Sequence, residues 1–220
     1  MPLICVAIKA ETTEQTIKSV LNAEEADLIE IRLDYRKEAI DLPSIRSRTA
    51  IPLIATNRRK DQGGKAEESE EERLKILYDA VEAGFKYIDI ASTTENLVST
   101  VTTMQNKGAK VIVSYHDFVN QLSLEQIEAK HKEIAETGCD LVKIIGWARS
   151  YKDNLPYLEY NKMHPGNISF SMGELGTISR ILAPLSGALF TYASLETGKE
   201  SAAGQIPLKQ LREIYGSIQR

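Results

Sequence analysis

Basic excess, paired cysteines and long apolar runs are all missing from this sequence. Acidic residues outnumber basic ones by 31 to 27, for a formal net charge of -4. That balance offers no positive footprint for nucleic acid or an anionic membrane. No stretch approaches the ~18 apolar residues of a transmembrane helix. A strand-like run, Leu3-Ile-Cys-Val-Ala-Ile8, starts so early that it leaves no room for a signal peptide. Of the two cysteines, Cys5 lies in such a run and Cys139 beside one, so both read as small core residues. No CxxC or Cys/His cluster suggests a metal site, and no GxGxxG follows a strand. The expectation is a cytoplasmic protein with no metal, no nucleic-acid partner and no membrane association.

What the sequence does contain is a repeating alternation. Short β-branched runs occur at 3–8, 28–33, 52–56, 87–91, 111–115, 141–145, 168–172 and 188–192. Segments of helical period separate them. Ser69 with Glu72 and Ser123 with Gln126 form capping boxes, and Gly84 and Gly138 mark the corresponding stops. Leu74, Leu77 and Val81 share one helical face, as do Leu97, Val101 and Met104, and Leu208, Leu211, Tyr215 and Ile218. The segments after the second and seventh runs are shorter, and Pro156 limits the sixth helix. Eight strands, each followed by a helical segment, predict a (β/α)8 TIM barrel. With no linker or low-complexity stretch, residues 1–220 form one domain.

Lys143 interrupts the apolar run Asp140-Leu-Val-Lys-Ile-Ile145. Removal from water disfavours an ammonium, so a lysine there is either paired or uncharged. An uncharged amine in a closed site attacks ketones and aldehydes. The alternative is a packed stem whose head reaches solvent. Other ionisable residues collect where a barrel places its chemistry, at the C-terminal strand ends. Glu30 and Arg32 are spaced by two and so point the same way. Arg58 follows the third strand, Asp89 lies in the fourth, and His116-Asp117 ends the fifth. A structural ion-pair ladder explains some of these charges but does not need a histidine one strand from a lysine. His116 has the basicity for proton transfer alpha to an imine. His131 and His164 read as surface residues and Trp147 as packing. Arg180, beyond the seventh strand, suits a bidentate carboxylate contact. The small, polar segment Gly198–Gln205 has the composition of a lid, and a second loop runs from Arg58 through Gly63-Gly64.

Taken in order, Glu30-Ile-Arg-Leu-Asp34, Thr56-Asn-Arg58 with Gly63-Gly64, Ser114-Tyr-His-Asp-Phe118, Val142-Lys143, Ser171-Met-Gly173 with Ser179-Arg180, and Ser201-Ala-Ala-Gly-Gln205 resemble type I 3-dehydroquinate dehydratase. The resemblance covers nearly the whole chain and implies a cofactor-free dehydration of 3-dehydroquinate in the shikimate pathway, usually by a homodimer. It implies a Schiff base on Lys143, His116 as general base and then acid, and Arg180 as carboxylate clamp. Glu30, Arg32 and Arg58 would hold ring hydroxyls and tune the lysine, and Ser201 and Gln205 would come from the lid, with Met172 supporting the site.

This sequence departs from the family pattern twice. Gln62 stands where a glutamate usually orients the histidine; an amide can accept the same bond but brings no charge. Asp89 is the candidate to supply that charge. Ala7 replaces a serine found in many relatives. Two rivals remain open at this stage: a Schiff-base aldolase acting on sugar phosphates, and a noncatalytic binding protein that keeps the pocket.

Overall fold

Parity along each strand decides which side chains face inward, because residues two apart share a face. The computed structural model describes residues 1–218. Its strands are β1 Ile4–Lys9, β2 Leu28–Arg32, β3 Leu53–Thr56, β4 Tyr87–Ala91, β5 Lys110–His116, β6 Leu141–Trp147, β7 Ile168–Met172 and β8 Thr191–Ser194. All pairings are parallel, in the order β7-β6-β5-β4-β3-β2-β1-β8. The chain is therefore a single-domain (β/α)8 barrel, nearly closed, with its seam between β7 and β8. The helices are α1 Thr13–Leu21, α2 Leu42–Arg46, α3 Glu70–Glu82, α4 Leu97–Asn106, α5 Leu124–Ala135, α6 Leu155–Met163, α7 Thr177–Leu182 and α8 Leu208–Ile218.

One parity set, including Ile29, Ile31, Val111, Val113, Val142 and Ile144, packs outward in a cluster with Leu77, Val101, Met104, Ile127, Leu211 and Tyr215 of the helices. The other set, with Cys5, Leu28, Ile54, Ile112, Leu141 and Ile168, fills the barrel interior. Continuing by twos along each strand leads from that apolar floor to the polar residues. Leu28 leads to Glu30 and Arg32, Ile112 to Ser114 and His116, and Leu141 to Lys143 and Ile145. The floor keeps water out from below, so the charges above it must satisfy one another.

Both capping boxes are present, at Ser69–Glu72 and Ser123–Gln126. Four expectations need correction. The last strand begins at Thr191 rather than 188, because the turn at Gly187 (φ 117°) delays pairing and Leu189 N–H donates to Asn167 O instead of joining the β1 ladder. Pro156 sits in the first turn of α6, where no donor is required, and so starts that helix rather than limiting it. Ile218, at the end of α8, is exposed. His131 and His164 are half-buried between α5 and α6, with ring centroids 4.1 Å apart; Tyr160 bonds the first and Glu128 the second. Trp147 does pack, lying against Gly173, where a Cβ would come within 3.2 Å of the indole.

Candidate active site

Lys143, projecting inward from β6, is 5% exposed and is paired. Its Nζ donates to Asp89 Oδ2 at 2.8 Å and to the Tyr192 hydroxyl at 3.0 Å, and Glu30 Oε1 lies 4.0 Å away. The ammonium is also 4.3 Å from the centroid of the Tyr192 ring. Of the two options open to a buried lysine, this geometry is the ion pair. Asp89 is buried in β4 and serves two cations, accepting from Arg58 Nη2 at 2.7 Å through its other oxygen. Ser114 Oγ adds a third bond at 2.6 Å. Burial pushes the Asp89 carboxyl up, but Lys143 and Arg58 outweigh it and hold the group well below the usual carboxylate range.

His116 ends β5 with its ring stacked on Phe118, centroids 5.8 Å apart. Arg58 Nη1 lies 3.1 Å from its Nδ1. Burial, followed by the positive charges of Arg58, Lys143 and Arg32, holds the imidazole well below its ordinary value. It is therefore neutral near pH 7, as a base must be. Asp89 does not bond His116; its charge is taken by Arg58 and Lys143. Nor does Gln62 supply the missing orientation. It closes a short turn on Arg59 O, and among the described residues no hydrogen bond joins it to His116. The loop nevertheless matters through its glycines. A Cβ on Gly64 would fall 1.9 Å from Arg58 O, and one on Gly63 (φ 74°) would fall 2.2 Å from the Phe118 ring. Only glycine lets this loop fold tightly enough to set both Arg58 and the ring behind His116.

Glu30 and Arg32 both point inward from β2. Glu30 accepts from Thr56 Oγ1 at 2.8 Å. Arg32 makes a two-pronged contact with Asp34 at 2.8 Å on each arm. Arg180 of α7 differs from every other arginine in the cavity. It is 2% exposed, its Nε has no partner, and it faces no carboxylate among the described residues. Its guanidinium lies over Phe170 at 4.4 Å, with one long contact to Ala203 O at 3.4 Å. Burial pulls it down to about 10, so it stays charged at neutral pH. A buried cation without a counter-ion is costly, and an anionic ligand would relieve the cost. Ser201 and Gln205 close the 198–205 segment on itself: Gln205 Oε1 accepts from Ser201 N at 2.7 Å and Gln205 Nε2 donates to Ser201 Oγ at 3.1 Å.

These groups share one cavity, lined by Glu30, Arg32, Arg58, His116, Lys143, Ile145, Phe170, Met172, Arg180, Tyr192, Ser201, Ala202 and Gln205. Asp89 sits just behind it, and Gln62 lies outside. A wider groove beside β1 and α1 carries Lys9, Lys18 and Lys199, but its charged side chains are exposed or half-exposed and nothing converges there. Tyr192 and Phe118 were missed by sequence reasoning. Tyr192 had a signal, being two residues from the inward Phe190 at the end of an apolar run; Phe118 had its place at the end of the Ser114–Phe118 motif, which gives it no role. The cavity thus unites an amine, a neutral imidazole and an unpaired guanidinium. That set suits an anionic carbonyl compound that loses a proton next to an imine.

Comparison with known proteins points the same way. The family model for type I 3-dehydroquinase matches residues 4–220. The 3-dehydroquinate dehydratase of Dehalococcoides mccartyi is 36% identical over 225 residues, covering 99% of this chain and 96% of the relative. That of Methanococcus vannielii is also 36% identical, covering 99% and 100%. The solved type I 3-dehydroquinate dehydratase from Clostridium difficile, with covalent modified comenic acid, superposes with a TM-score of 0.89 at 30% identity, covering 99% and 92%.

Proposed function

The chain belongs to the type I 3-dehydroquinase family and is a hydro-lyase, and on that premise we propose that it converts 3-dehydroquinate to 3-dehydroshikimate through a Schiff base on Lys143. The observation that carries this reading is the buried Lys143 ammonium, paired with Asp89 in a cavity that also holds an unpaired guanidinium. In the proposed sequence Arg180 takes the substrate carboxylate and brings the C3 ketone to Lys143. Lys143 gives up a proton so that its amine can add to the carbonyl, and two of the three ammonium protons then leave with the carbonyl oxygen as water, giving an iminium. That iminium keeps its positive charge beside Asp89, so one carboxylate, kept ionised by its neighbours, serves the lysine before and after condensation.

His116 then takes the C2 proton, and the C–H electron pair flows to the iminium nitrogen to give an enamine. The same imidazolium returns its proton to the C1 hydroxyl, which leaves as water in a syn elimination. Hydrolysis of the conjugated iminium restores the amine and releases product. Glu30, Arg32 and Arg58 are assigned to the ring hydroxyls, and Ser201 and Gln205 to lid contacts. No cofactor enters this sequence. The reading includes a cytoplasmic homodimer. Pairing is supported by the exposed apolar side chains Tyr151, Leu155, Ile178 and Leu185, and no described helix is long and apolar enough to cross a membrane. The direct test is incubation with 3-dehydroquinate while following ultraviolet absorbance of the conjugated product. A rise is expected. No rise with 3-dehydroquinate, together with cleavage of a phosphorylated ketose, would favour an aldolase.

A further inference from the structure

We infer that Arg58 is a substrate-released latch on His116, holding the imidazole in the tautomer that cannot accept the substrate proton until the guanidinium moves away. The inference rests on the base role proposed above for His116 and names what controls it. A guanidinium only donates hydrogen bonds, so at 3.1 Å from Arg58 Nη1 the Nδ1 atom must present a lone pair. Neutral His116 then carries its proton on Nε2. In that tautomer Nδ1 is the one ring atom able to take up a proton, and it is the atom Arg58 covers.

The groups around the ring reinforce this arrangement. Arg58 from the β3 loop, Lys143 from β6 and Arg32 from β2 all act against an imidazolium. The nearest carboxylate in the network, Asp89, is engaged by Arg58 and Lys143. Among the described residues no acceptor holds an Nδ1–H in place, and such a proton would point at a guanidinium. The latch itself is held by two further bonds from Arg58 Nη2, to Asp89 at 2.7 Å and to Ser114 Oγ at 3.0 Å. Gly64 fixes the backbone of Arg58 against displacement, so the movable part is the Nη1 arm. A substrate hydroxyl oxygen in the cavity offers that arm a new acceptor. Rotation towards it uncovers Nδ1, and the C2 proton can pass to that lone pair as the C–H electrons enter the enamine. Arg58 thus acts as a positioning residue for His116 in addition to any contact with substrate.

The chain has three histidines, so nitrogen-15 imidazole spectra of the ligand-free protein can be assigned with His131→Gln and His164→Gln variants. The latch predicts His116 as the Nε2–H tautomer, with Nδ1 unprotonated and a pKa well below 6.5. It predicts that Arg58→Gln raises the His116 pKa by about one unit or more and moves the acid limb of kcat/KM upward by the same amount in whatever activity remains. It also predicts that saturation with product shifts Nδ1 towards an uncovered value. An Nδ1–H tautomer in the free wild-type protein would overturn the latch without any variant being needed. An unchanged His116 pKa in a folded Arg58→Gln protein would also overturn it. Neither result depends on turnover, whereas absence of dehydration in the wild type would instead remove the proposed function.

Discussion

The Tyr192 hydroxyl stands 3.0 Å from Lys143 Nζ, and the same ammonium lies 4.3 Å from the centroid of the Tyr192 ring. One side chain therefore holds the amine by both its edge and its face. Burial, followed by nearby Glu30, Cys5 and Asp89, drives the phenol well above its ordinary value, so it stays neutral. A hydrogen bond to a charged group contributes on the order of 1.5–3 kcal/mol. Tyr192→Phe keeps the face and loses the edge. Its kcat/KM is expected to fall roughly tenfold or more, with imine trapping still at Lys143. Wild-type kinetics in this variant would mean that the hydroxyl only fills space.

Arg180 exchanges stability for recognition. Among the described residues its buried charge has no counter-ion and its Nε no partner, so replacement by an apolar side chain of similar length removes a desolvation cost. Arg180→Met should melt at the same temperature as wild type or higher, while KM for 3-dehydroquinate rises by about tenfold or more, the loss of a charge-assisted bidentate contact. Thermal melts and steady-state kinetics on one preparation separate the two effects. A lower melting temperature with unchanged KM would assign Arg180 to the fold instead.

Asp89 has the opposite balance. It is the shared partner of two buried cations, and removing one member of such a network typically costs about 3–5 kcal/mol. Asp89→Asn should be strongly destabilised, and Lys143→Met in the Asp89→Asn background should recover part of the loss. The pH dependence follows from the depressed carboxyl. A folded-state value below the unfolded one contributes stability above the unfolded value near ~3.9. That contribution is lost as pH falls through the folded value. His116 adds a second window. Its folded value lies below its unfolded value near ~6.5, so on descending from there the unfolded chain takes up a proton that the folded chain refuses, and stability falls. Denaturant midpoints from pH 7 to pH 3 should therefore decline in wild type. A flat profile would contradict both assignments.

The sequence made the barrel legible because each strand is a short apolar run and two of the intervening helices announce themselves by capping boxes, at Ser69–Glu72 and Ser123–Gln126. It made the residue types of the site legible because Lys143, Glu30, Arg32 and His116 interrupt those runs at inward positions. It did not reveal who holds whom. Asp89 was a candidate partner for His116, yet it faces Lys143 and Arg58, because pairing across neighbouring strands is set by register: Thr56 lies beside Asp89, and Ser114 beside Lys143. Gln62 stands in the expected slot, but the tight turn forced by Gly63 and Gly64 leaves it outside the cavity. Tyr192 was hidden at the end of a run whose strand begins later than its apolar pattern suggests.

His116 and Lys143 should fail at different steps. His116→Ala keeps amine and ketone together, so imine should still form and accumulate. Turnover should drop by at least the ~10²–10⁴-fold that general acid–base catalysis supplies. Intact-protein mass spectra during incubation with substrate check this through a stable adduct. Near wild-type turnover would require another base, to be sought between Asp89 and Glu30.

The central claim is covalent chemistry at Lys143, and reductive trapping tests it most directly. Borohydride added during incubation with 3-dehydroquinate should reduce the imine and leave one ligand-sized mass on the single peptide that contains Lys143. Lys143→Ala should show neither adduct nor dehydration. An adduct on a different lysine, or dehydration that continues in Lys143→Ala, would contradict the account.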